Sequence, residues 1–433
     1  MNLGTLKKIY RDHGCERLYF KRLAANDNSK NQVYFGGNFE VLNMFPVSNI
    51  ISESSATGSK DRFKATLNFF WLNDNGERSR APHARLILYP QYPEVRFSGF
   101  LKQCKHAPSA LMRERIPNRL LFLGTNSKGE ITGYVTTPDS ELSREIDSLE
   151  YLEPSGVFLS IPLTKSSDYK NELLSRLKEI HQSGWVDARR LNNKGEILPC
   201  NAPNCGGYTL EALLGIIPNG ISEPDFLGWE IKQFGVQRFD KIYNKVITLM
   251  TPEPTGGIYK EAGVDSFLQL YGYKDKSGII DRINFGGIHK AWEKHKNTNL
   301  TLTLVGFDRE NEKIMHSDGR IALLDEQENE AASWSFESLL KHWNRKHNKA
   351  CYVPSLSQKA PHRKYYFGNK LILGIGTDFI LFLKALNKQH IYYDPGIKME
   401  NTLNKPRIKR RSQFRIKSGF VKNLYKFSEE PEI

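Results

Sequence analysis

The chain has 433 residues, which suggests two or three domains, and 62 Lys and Arg against 48 Asp and Glu give it a formal charge of +14. Apolar residues form 39% of the chain, which argues against wholesale disorder, and the longest apolar stretch, 371–383, is too short to span a bilayer. Five cysteines make no disulfide framework and residues 1–14 hold no apolar secretion signal, so we expect a cytoplasmic protein that makes no membrane contact.

Residues 1–160 are typical of a β-rich domain. Runs of β-branched and aromatic residues predict short strands, and polar turns such as 24–31 and 125–130 separate them. The predicted strands are 17–23, 32–35, 63–72, 83–89 and 119–124. Many short strands joined by polar turns favour a barrel or a sandwich.

The pattern changes near residue 160, where we place a domain boundary. An apolar stripe at 173, 174, 177 and 180 predicts a helix that Ser167 caps at its start and Gly184 at its end. Strand and helix signals then alternate, which favours an α/β domain with a mixed sheet over residues 165–433. The later strands are predicted at 229–234, 245–250, 300–307 and 321–324, and the later helices at 265–270, 336–343 and 378–386.

Residues 206–234 concentrate the chemically informative side chains. Thr209 can cap a short helix that ends at Gly215, with Glu211 in its first turn. Asp225 then lies in a turn just before a predicted strand, 228–232. Glu230 and Lys232 point to the same face of that strand, because side chains alternate with a period of two.

This arrangement is what a magnesium-dependent nuclease needs. Magnesium prefers oxygen ligands, so Asp225 and Glu230 could hold it beside a phosphate. The metal would polarise the phosphate and activate a water molecule, which Lys232 could orient. Glu211 could support the metal site or anchor Lys232.

The spacing alone is weak evidence, since a surface strand with ion pairs is the usual explanation of such a triplet. However, Trp229, Ile231 and Phe234 flank the charges and predict a half-buried strand. Carboxylates and a lysine buried together destabilise a fold unless they are paired or bind a metal. The functional interpretation therefore gains weight.

The basic excess is concentrated near the carboxyl terminus. Residues 398–426 contain ten Lys or Arg and one acidic residue, Glu400, so they carry nine of the fourteen net charges. A solvated tail is one interpretation, but residues 414–416 alternate like a strand and residues 420–425 can form a short helix. We expect a folded basic surface that binds phosphates in a salt-sensitive manner.

Residues 206–234 also resemble the catalytic core of the MvaI/BcnI family of restriction endonucleases, relatives of the mismatch-repair nickase MutH. The family pattern T-L-E, L-G, P-D and G-W/V-E-x-K is matched at 209–211, 214–215, 224–225 and 228–232. The family's glycine-rich lead-in is replaced by residues 200–207. The resemblance implies a PD-(D/E)XK nuclease that acts as a monomer. Its catalytic residues would be Glu211, Asp225, Glu230 and Lys232, and Asp225 and Glu230 would hold Mg²⁺.

The resemblance extends to the carboxyl terminus, where relatives read bases after a residue that matches Asp394. Residues 395–398 follow it in this chain, and base recognition in this region is a hypothesis. We assign DNA binding here to Asp394, Lys398, Arg410, Arg411 and Arg415. Arginine can bind guanine through two hydrogen bonds, and aspartate can accept one from cytosine.

Residues 19–27 and 32–34 are similar to the start of the EcoRII-type effector domain, a pseudobarrel that grips double-stranded DNA with two arms. The arms would be residues 26–32 and 89–98. Candidate contacts are Lys21, Arg22, Asn26, Glu94 and Arg96. The alternative is a structural loop rigidified by Pro90 and Pro93. An effector joined to such a nuclease could hold one DNA copy while another is cut.

Two further signals are set aside. Cys200 and Cys205 lie five residues apart without a second close pair, so we expect free thiols near a turn instead of a zinc site. His289 and His295 lie on a Lys-rich stretch that we expect to be helical, and we expect them to be solvated and not catalytic.

Three functions remain open. The first is a type II, IIE-like restriction endonuclease that cuts double-stranded DNA at a CC-N-GG type site such as CCWGG, with Mg²⁺ as cofactor and a cognate DNA methyltransferase acting on the same site. The second is a modification-dependent or nicking endonuclease in defence or repair. The third is a non-catalytic DNA-binding regulator, which the presence of all four catalytic residue types disfavours. The predicted fold is an amino-terminal all-β-rich DNA-binding pseudobarrel followed by an α/β nuclease with a mixed sheet.

Overall fold

This computed structural model describes residues 1–28, 32–54, 61–92, 94–149, 152–163, 169–202, 204–217, 224–402 and 405–433. The chain divides into two compact units, residues 1–167 and 168–433. Among the described residues, no helix combines the length and the apolar character that a membrane crossing requires.

The first unit is rich in strands, as the sequence predicted. Its elements are α1 (Leu3–Asp12), β1 (Cys15–Leu23), β2 (Val33–Gly36), α2 (Val41–Met44), β3 (Asn49–Glu53), β4 (Arg62–Thr66), β5 (Asn68–Leu72), β6 (Arg78–Arg80), β7 (Arg85–Tyr89), β8 (Glu94–Ser98), α3 (Ser109–Arg113), β9 (Arg119–Asn126), β10 (Glu130–Thr136), α4 (Glu141–Asp147), β11 (Glu153–Ser155) and β12 (Phe158–Ile161).

These strands form two sheets. One sheet has the order β11-β12-β1-β9-β10-β5-β6 and the other β2-β8-β7-β4-β3. Aromatic rings join them: the ring of Phe97 on β8 lies 5.0 Å from that of Phe69 on β5. Helix α1, which the sequence analysis did not predict, buries Tyr10 against Gly124, where an added Cβ would lie 2.3 Å from the tyrosine ring.

The second unit combines helices with several sheets. Its elements are α5 (Tyr169–Gln182), β13 (Val186–Asp187), β14 (Arg189–Leu191), β15 (Ile197–Pro199), α6 (Cys205–Leu213), β16 (Glu230–Gly235), β17 (Val246–Met250), α7 (Ile258–Glu261), α8 (Val264–Tyr271), β18 (Tyr273–Lys274), β19 (Arg282–Gly286), β20 (Thr301–Val305), β21 (Phe307–Asp308), β22 (Lys313–Ile314), β23 (Arg320–Leu324), β24 (Glu330–Ser335), α9 (Phe336–His347), β25 (Lys349–Gln358), β26 (Lys364–Phe367), β27 (Ile372–Ile375), α10 (Phe379–Asn387), β28 (Ile391–Tyr393), β29 (Gly396–Glu400), β30 (Arg407–Lys409), β31 (Phe414–Lys417), a 3₁₀ helix (Ser418–Leu424) and β32 (Phe427–Glu429).

The central sheet of this unit is mixed, as predicted. It has the order β13-β26-β25-β27-β32, and β16 pairs with β25 in parallel while the other pairs are antiparallel. Helices α5 and α6 pack on it through a core that includes Leu177, Leu210, Ile231 and Val353. The predicted helix near residue 170 is confirmed as α5; its predicted cap, Ser167, lies outside the described residues.

The basic carboxyl-terminal segment is folded, which confirms the prediction. Strand β31 lies between β17 and β28, and its Phe414 and Ile416 are fully buried. The 3₁₀ helix that follows buries Val421 and Leu424. The lysines and arginines of residues 398–426 are largely exposed, so this segment presents a basic surface on a packed apolar layer.

Candidate active site

Glu211 is positioned by helix α6, which does not begin where the sequence suggested. The helix starts at Cys205, so Thr209 lies inside it and not at its cap, and Glu211 lies near its end. The hydroxyl of Thr209 donates to Cys205 O at 2.6 Å and accepts from Arg189 N at 3.1 Å. Thr209 therefore fixes α6 to β14, and the prediction of a Thr209 cap was wrong.

Asp225 is positioned by a tight turn at the start of β16. Phe226 and Trp229 exchange two backbone hydrogen bonds, of 3.0 and 2.8 Å, across Leu227 and Gly228. Both central residues have positive φ, 49° and 79°, the backbone conformation of the tightest hairpin turns. Asp225 Oδ2 accepts from Ile231 N at 3.0 Å, which holds the carboxylate beside the strand.

Glu230 is the most buried charged group of the cluster. Its side chain is 1% exposed, and its Oε1 accepts a hydrogen bond from Lys232 Nζ. Lys346 Nζ lies 3.6 Å from the same oxygen. Oε2 is also buried, and it has no hydrogen-bond partner within the described part of the chain. The prediction that Glu230 and Lys232 face the same side of β16 is confirmed.

The environment shifts the pKa values of these groups. Burial and the nearby Asp225 carboxylate raise the pKa of Glu230 to about 7, although Lys232 and Lys346 oppose the change. Burial, together with Asp225, also raises the pKa of Glu211. Burial lowers the pKa of Lys232, but the three carboxylates outweigh it, so this pKa lies above the usual value.

Sequence reasoning missed two neighbours of the cluster, Lys346 and His347, at the end of α9. His347 is 2% exposed, and its ring stacks on Trp343 with centroids 4.3 Å apart. Burial and the charges of Lys232 and Lys346 hold its pKa well below the usual value, which favours a neutral ring. The only available signal was the basic run 341–349 before an apolar strand.

The oxygen donors of this cluster fit a hard divalent cation. The Asp225 carboxylate is close enough to raise the pKa of both Glu211 and Glu230, and the buried Oε2 of Glu230 lacks a protein partner among the described residues. Such ions prefer carboxylate oxygens and retain water molecules. A buried carboxylate oxygen without a hydrogen-bond donor is compatible with a metal ligand, because buried charges are otherwise paired or hydrogen-bonded.

The carboxyl-terminal candidates for DNA binding lie on neighbouring strands. Arg415 on β31 forms an ion pair with Asp394, and its Nε donates to Thr248 Oγ1 at 3.3 Å. Lys398 on β29 pairs with Glu400 at 2.7 Å. Arg410 and Arg411 are exposed between β30 and β31. Asp394 and Arg415 are thus placed together, whereas Lys398 lies on a separate sheet.

The amino-terminal candidates line one open pocket of about 480 Å³. Its wall includes Lys21, Arg22, Asn26, Glu94 and Arg96. Lys21 is buried and donates to Asp27 Oδ2 at 3.0 Å and to Tyr34 O at 2.6 Å, while Arg96 pairs with Glu94 at 2.8 Å. Arg22 pairs with Asp147. Parts of the predicted arms, 29–31 and 93, lie outside the described residues.

Two expectations, free thiols at Cys200 and Cys205 and a solvated His289 on a helix, were wrong. Cys200 and Cys205 form a disulfide, because the turn before α6 brings their Cα atoms to 5.8 Å. His289 is 0% exposed and lies in an irregular segment bridged to Tyr393, not on a solvated helix. Its ring stacks on His295 at 4.1 Å, and burial lowers the pKa of His289 to about 3.

A cluster of acidic residues with a lysine, on a mixed sheet flanked by helices, is typical of nucleases that hydrolyse phosphodiester bonds. The chain belongs to the MvaI/BcnI restriction endonuclease family, whose model matches residues 174–425. It is therefore a site-specific DNA nuclease, a restriction endonuclease of type II. The match begins after the first unit, which the family model leaves uncovered.

Solved structures with similarity include two of MvaI. The complex of restriction endonuclease MvaI with its cognate DNA is 19% identical, covering 61% of this chain and 99% of that chain, with a TM-score of 0.45. MvaI in the absence of DNA is 18% identical, covering 62% of this chain and 98% of that chain, with a TM-score of 0.33. No curated protein sequence gives a significant match.

Proposed function

We propose that the enzyme hydrolyses double-stranded DNA at a CC-N-GG type site such as CCWGG and uses Mg²⁺. The observation that carries the metal proposal is the buried Glu230, whose Oε1 meets two lysines while its Oε2 has no partner among the described residues. The type of site rests on the family resemblance and on Asp394 beside Arg415, a pair suited to read cytosine and guanine.

The contacts within the cluster support the following proposed roles. Asp225 and Glu230 are the metal ligands, and Glu211 supports them from α6. Mg²⁺ bound there would activate a water molecule and neutralise charge on the phosphate. Lys232 orients the attacking water and offsets negative charge in the transition state. The water loses a proton to the solvent and its oxygen bonds to phosphorus as the bond to the leaving sugar oxygen breaks, and that sugar oxygen takes up a proton from the solvent.

The proposed domain assignment gives residues 1–160 a regulatory role and residues 165–433 the cutting role. The pocket lined by Asn26, Glu94 and Arg96 is proposed to contact DNA, with Lys21 and Arg22 at its edge. A second copy of the site bound there would stimulate cleavage, the behaviour of a IIE-like enzyme. On the basic carboxyl-terminal surface, Lys398, Arg410 and Arg411 are proposed as further DNA contacts. We further propose a cytoplasmic monomer whose host DNA is protected by a methyltransferase of the same specificity.

The test is digestion of a fully sequenced, unmodified plasmid with the purified full-length protein in Mg²⁺, followed by mapping of the ends. We expect cuts at CC-N-GG sites, none with a chelator and none with Asp225→Ala. Cutting of methylated plasmid alone would show a modification-dependent enzyme, and single-strand breaks alone would show a nickase. If Asp225→Ala kept every effect on DNA, a non-catalytic regulator would replace the proposal.

A further inference from the structure

We propose that Lys346 is a second cationic residue of the cleavage site: it neutralises Glu230 in the free protein and contacts a phosphate oxygen of the scissile group when DNA and metal are bound. The proposal rests on the proposed function of the acidic cluster. It adds a residue that lies far from the family motif in the sequence and that the sequence analysis did not identify.

The fold places Lys346 at the cluster for a topological reason. Helix α9 ends at His347, and β25 begins two residues later. Strand β25 runs parallel to β16, and Ala350 is the register partner of Glu230. Parallel strands start at the same edge of a sheet, so the end of α9 lies at the edge where Glu230 begins β16. Lys346 Nζ therefore reaches within 3.6 Å of Glu230 Oε1.

The contact differs from an ordinary surface ion pair. In such pairs both partners are exposed and the interaction contributes little. Here the Glu230 side chain is 1% exposed, whereas that of Lys346 is 30% exposed. The Lys346 side chain thus reaches a buried carboxylate while part of it remains in contact with solvent. The oxygen that Lys346 faces, Glu230 Oε1, already accepts a hydrogen bond from Lys232.

The charges explain why Lys346 can change partners. Three carboxylates and two ammonium groups leave the cluster with a charge of −1 when all are ionised. A divalent cation on Asp225 and Glu230 would reverse that charge and weaken the hold of Glu230 on both lysines. Both lysines have the same flexible stem, but Lys232 is hydrogen-bonded to Glu230 Oε1, whereas Lys346 lies 3.6 Å from that oxygen and is the more exposed of the two. Its ammonium is then available to a phosphate oxygen at the same edge.

The experiment compares Lys346→Met, Lys346→Arg and the control Lys341→Met, an exposed lysine on the same helix. DNA binding of the full-length protein is measured at several salt concentrations with Ca²⁺, which takes the same oxygen ligands. Single-turnover cleavage is measured across Mg²⁺ concentrations. We expect Lys346→Met to reduce the salt slope of binding by about one and to slow cleavage by about 10- to 100-fold.

Lys346→Arg should keep the salt slope, and Lys341→Met should match the wild type in slope and rate. The Mg²⁺ concentration for half-maximal rate should stay unchanged or fall in Lys346→Met, because a positive charge beside the metal is removed. The proposal would be overturned if Lys346→Met kept the wild-type salt slope of binding and the wild-type cleavage rate. It would also be overturned if the variant needed tenfold more Mg²⁺ with an unchanged salt slope, because Lys346 would then only orient Glu230. If Lys346→Met does not fold, Lys346→Gln gives the same comparison. Failure of the wild type to cut would instead refute the proposed function.

Discussion

Asp225 Oδ2 accepts a hydrogen bond from the backbone amide of Ile231, with 3.0 Å between the two atoms. This bond fastens a turn residue to the strand that carries Glu230 and Lys232. A carboxylate has two oxygens, so Oδ1 can still bind a ligand while Oδ2 is held. The loop carboxylate and the strand carboxylate are therefore kept in register before any metal or DNA arrives.

Glu230→Gln should slow single-turnover cleavage by at least about 100-fold, because an amide gives a metal only one neutral oxygen. Metal binding in the absence of DNA, which calorimetry measures, should also be weaker in this variant. Glu261→Gln, at an exposed position on α7, is the matched control. Wild-type cleavage by Glu230→Gln would remove this residue from the metal site.

Lys232→Met and Lys232→Arg should both slow cleavage by at least about 100-fold while DNA affinity changes only severalfold. Lys232 Nζ contacts Glu230 in a partly buried position, and a planar guanidinium cannot replace a compact ammonium there. Rapid-quench cleavage and a binding titration measure the two effects. The exposed Lys178→Met serves as control. Full rescue by arginine would mean that Lys232 supplies charge alone.

The stability of the metal-free protein should fall as pH rises from about 4.5 to 7. The folded state holds the pKa of Glu230 at about 7 against 4.5, so between these values it binds more protons than the unfolded state. The effect is about 3 kcal/mol and is complete above the folded pKa. Denaturant unfolding with a chelator at pH 5 and pH 8 measures it as the difference between wild type and Glu230→Gln. A pH-independent difference would contradict the prediction.

Arg96→Ala should abolish stimulation by a second DNA copy and leave basal cleavage intact. Arg96 lines the amino-terminal pocket and pairs with Glu94, so its loss removes a cation from the proposed DNA contact. Cleavage of a one-site plasmid is compared with and without added site-bearing duplex. Lys102→Ala, at an exposed residue, is the control. Equal stimulation of Arg96→Ala and wild type would remove the pocket from this role.

Thiol labelling under denaturing, non-reducing conditions should find three cysteines, Cys15, Cys104 and Cys351, and labelling after reduction should find five. Reduction should lower the free energy of unfolding by about 2 kcal/mol, because a short closed loop is opened in the unfolded chain. The double variant Cys200→Ala, Cys205→Ala should lose a similar amount and become insensitive to reductant. Five labelled thiols before reduction would disprove the bond.

The sequence predicted the relative placement of the candidate residues where they are close along the chain. Asp225, Glu230 and Lys232 fall within eight positions, and a strand period of two places the last two on one face. The sequence also suits the turn before β16, because Gly228 readily adopts the positive φ that this turn requires.

The features that the sequence did not reveal depend on long-range packing. Lys346 reaches Glu230 only because β25 pairs in parallel with β16. The periodicity of apolar residues predicts strands but not the order in which they pair. Helix α6 extends back over Gly206, a residue of low helix propensity. An added Cβ there would lie 2.5 Å from Gln233 Oε1, so close packing against β16 overrides local preference. A spacing of five likewise could not distinguish paired from free cysteines.

The pairing of β16 with β25 has a consequence for the timing of synthesis. Glu230 and its register partner Ala350 are 120 residues apart in the sequence, so their contact is strongly non-local. Chains fold from the amino terminus as they leave the ribosome. The cluster cannot assemble with Lys346 until β25 has emerged, by which point most of the second unit has been made. A nascent chain therefore carries the motif of the enzyme well before it carries the assembled site.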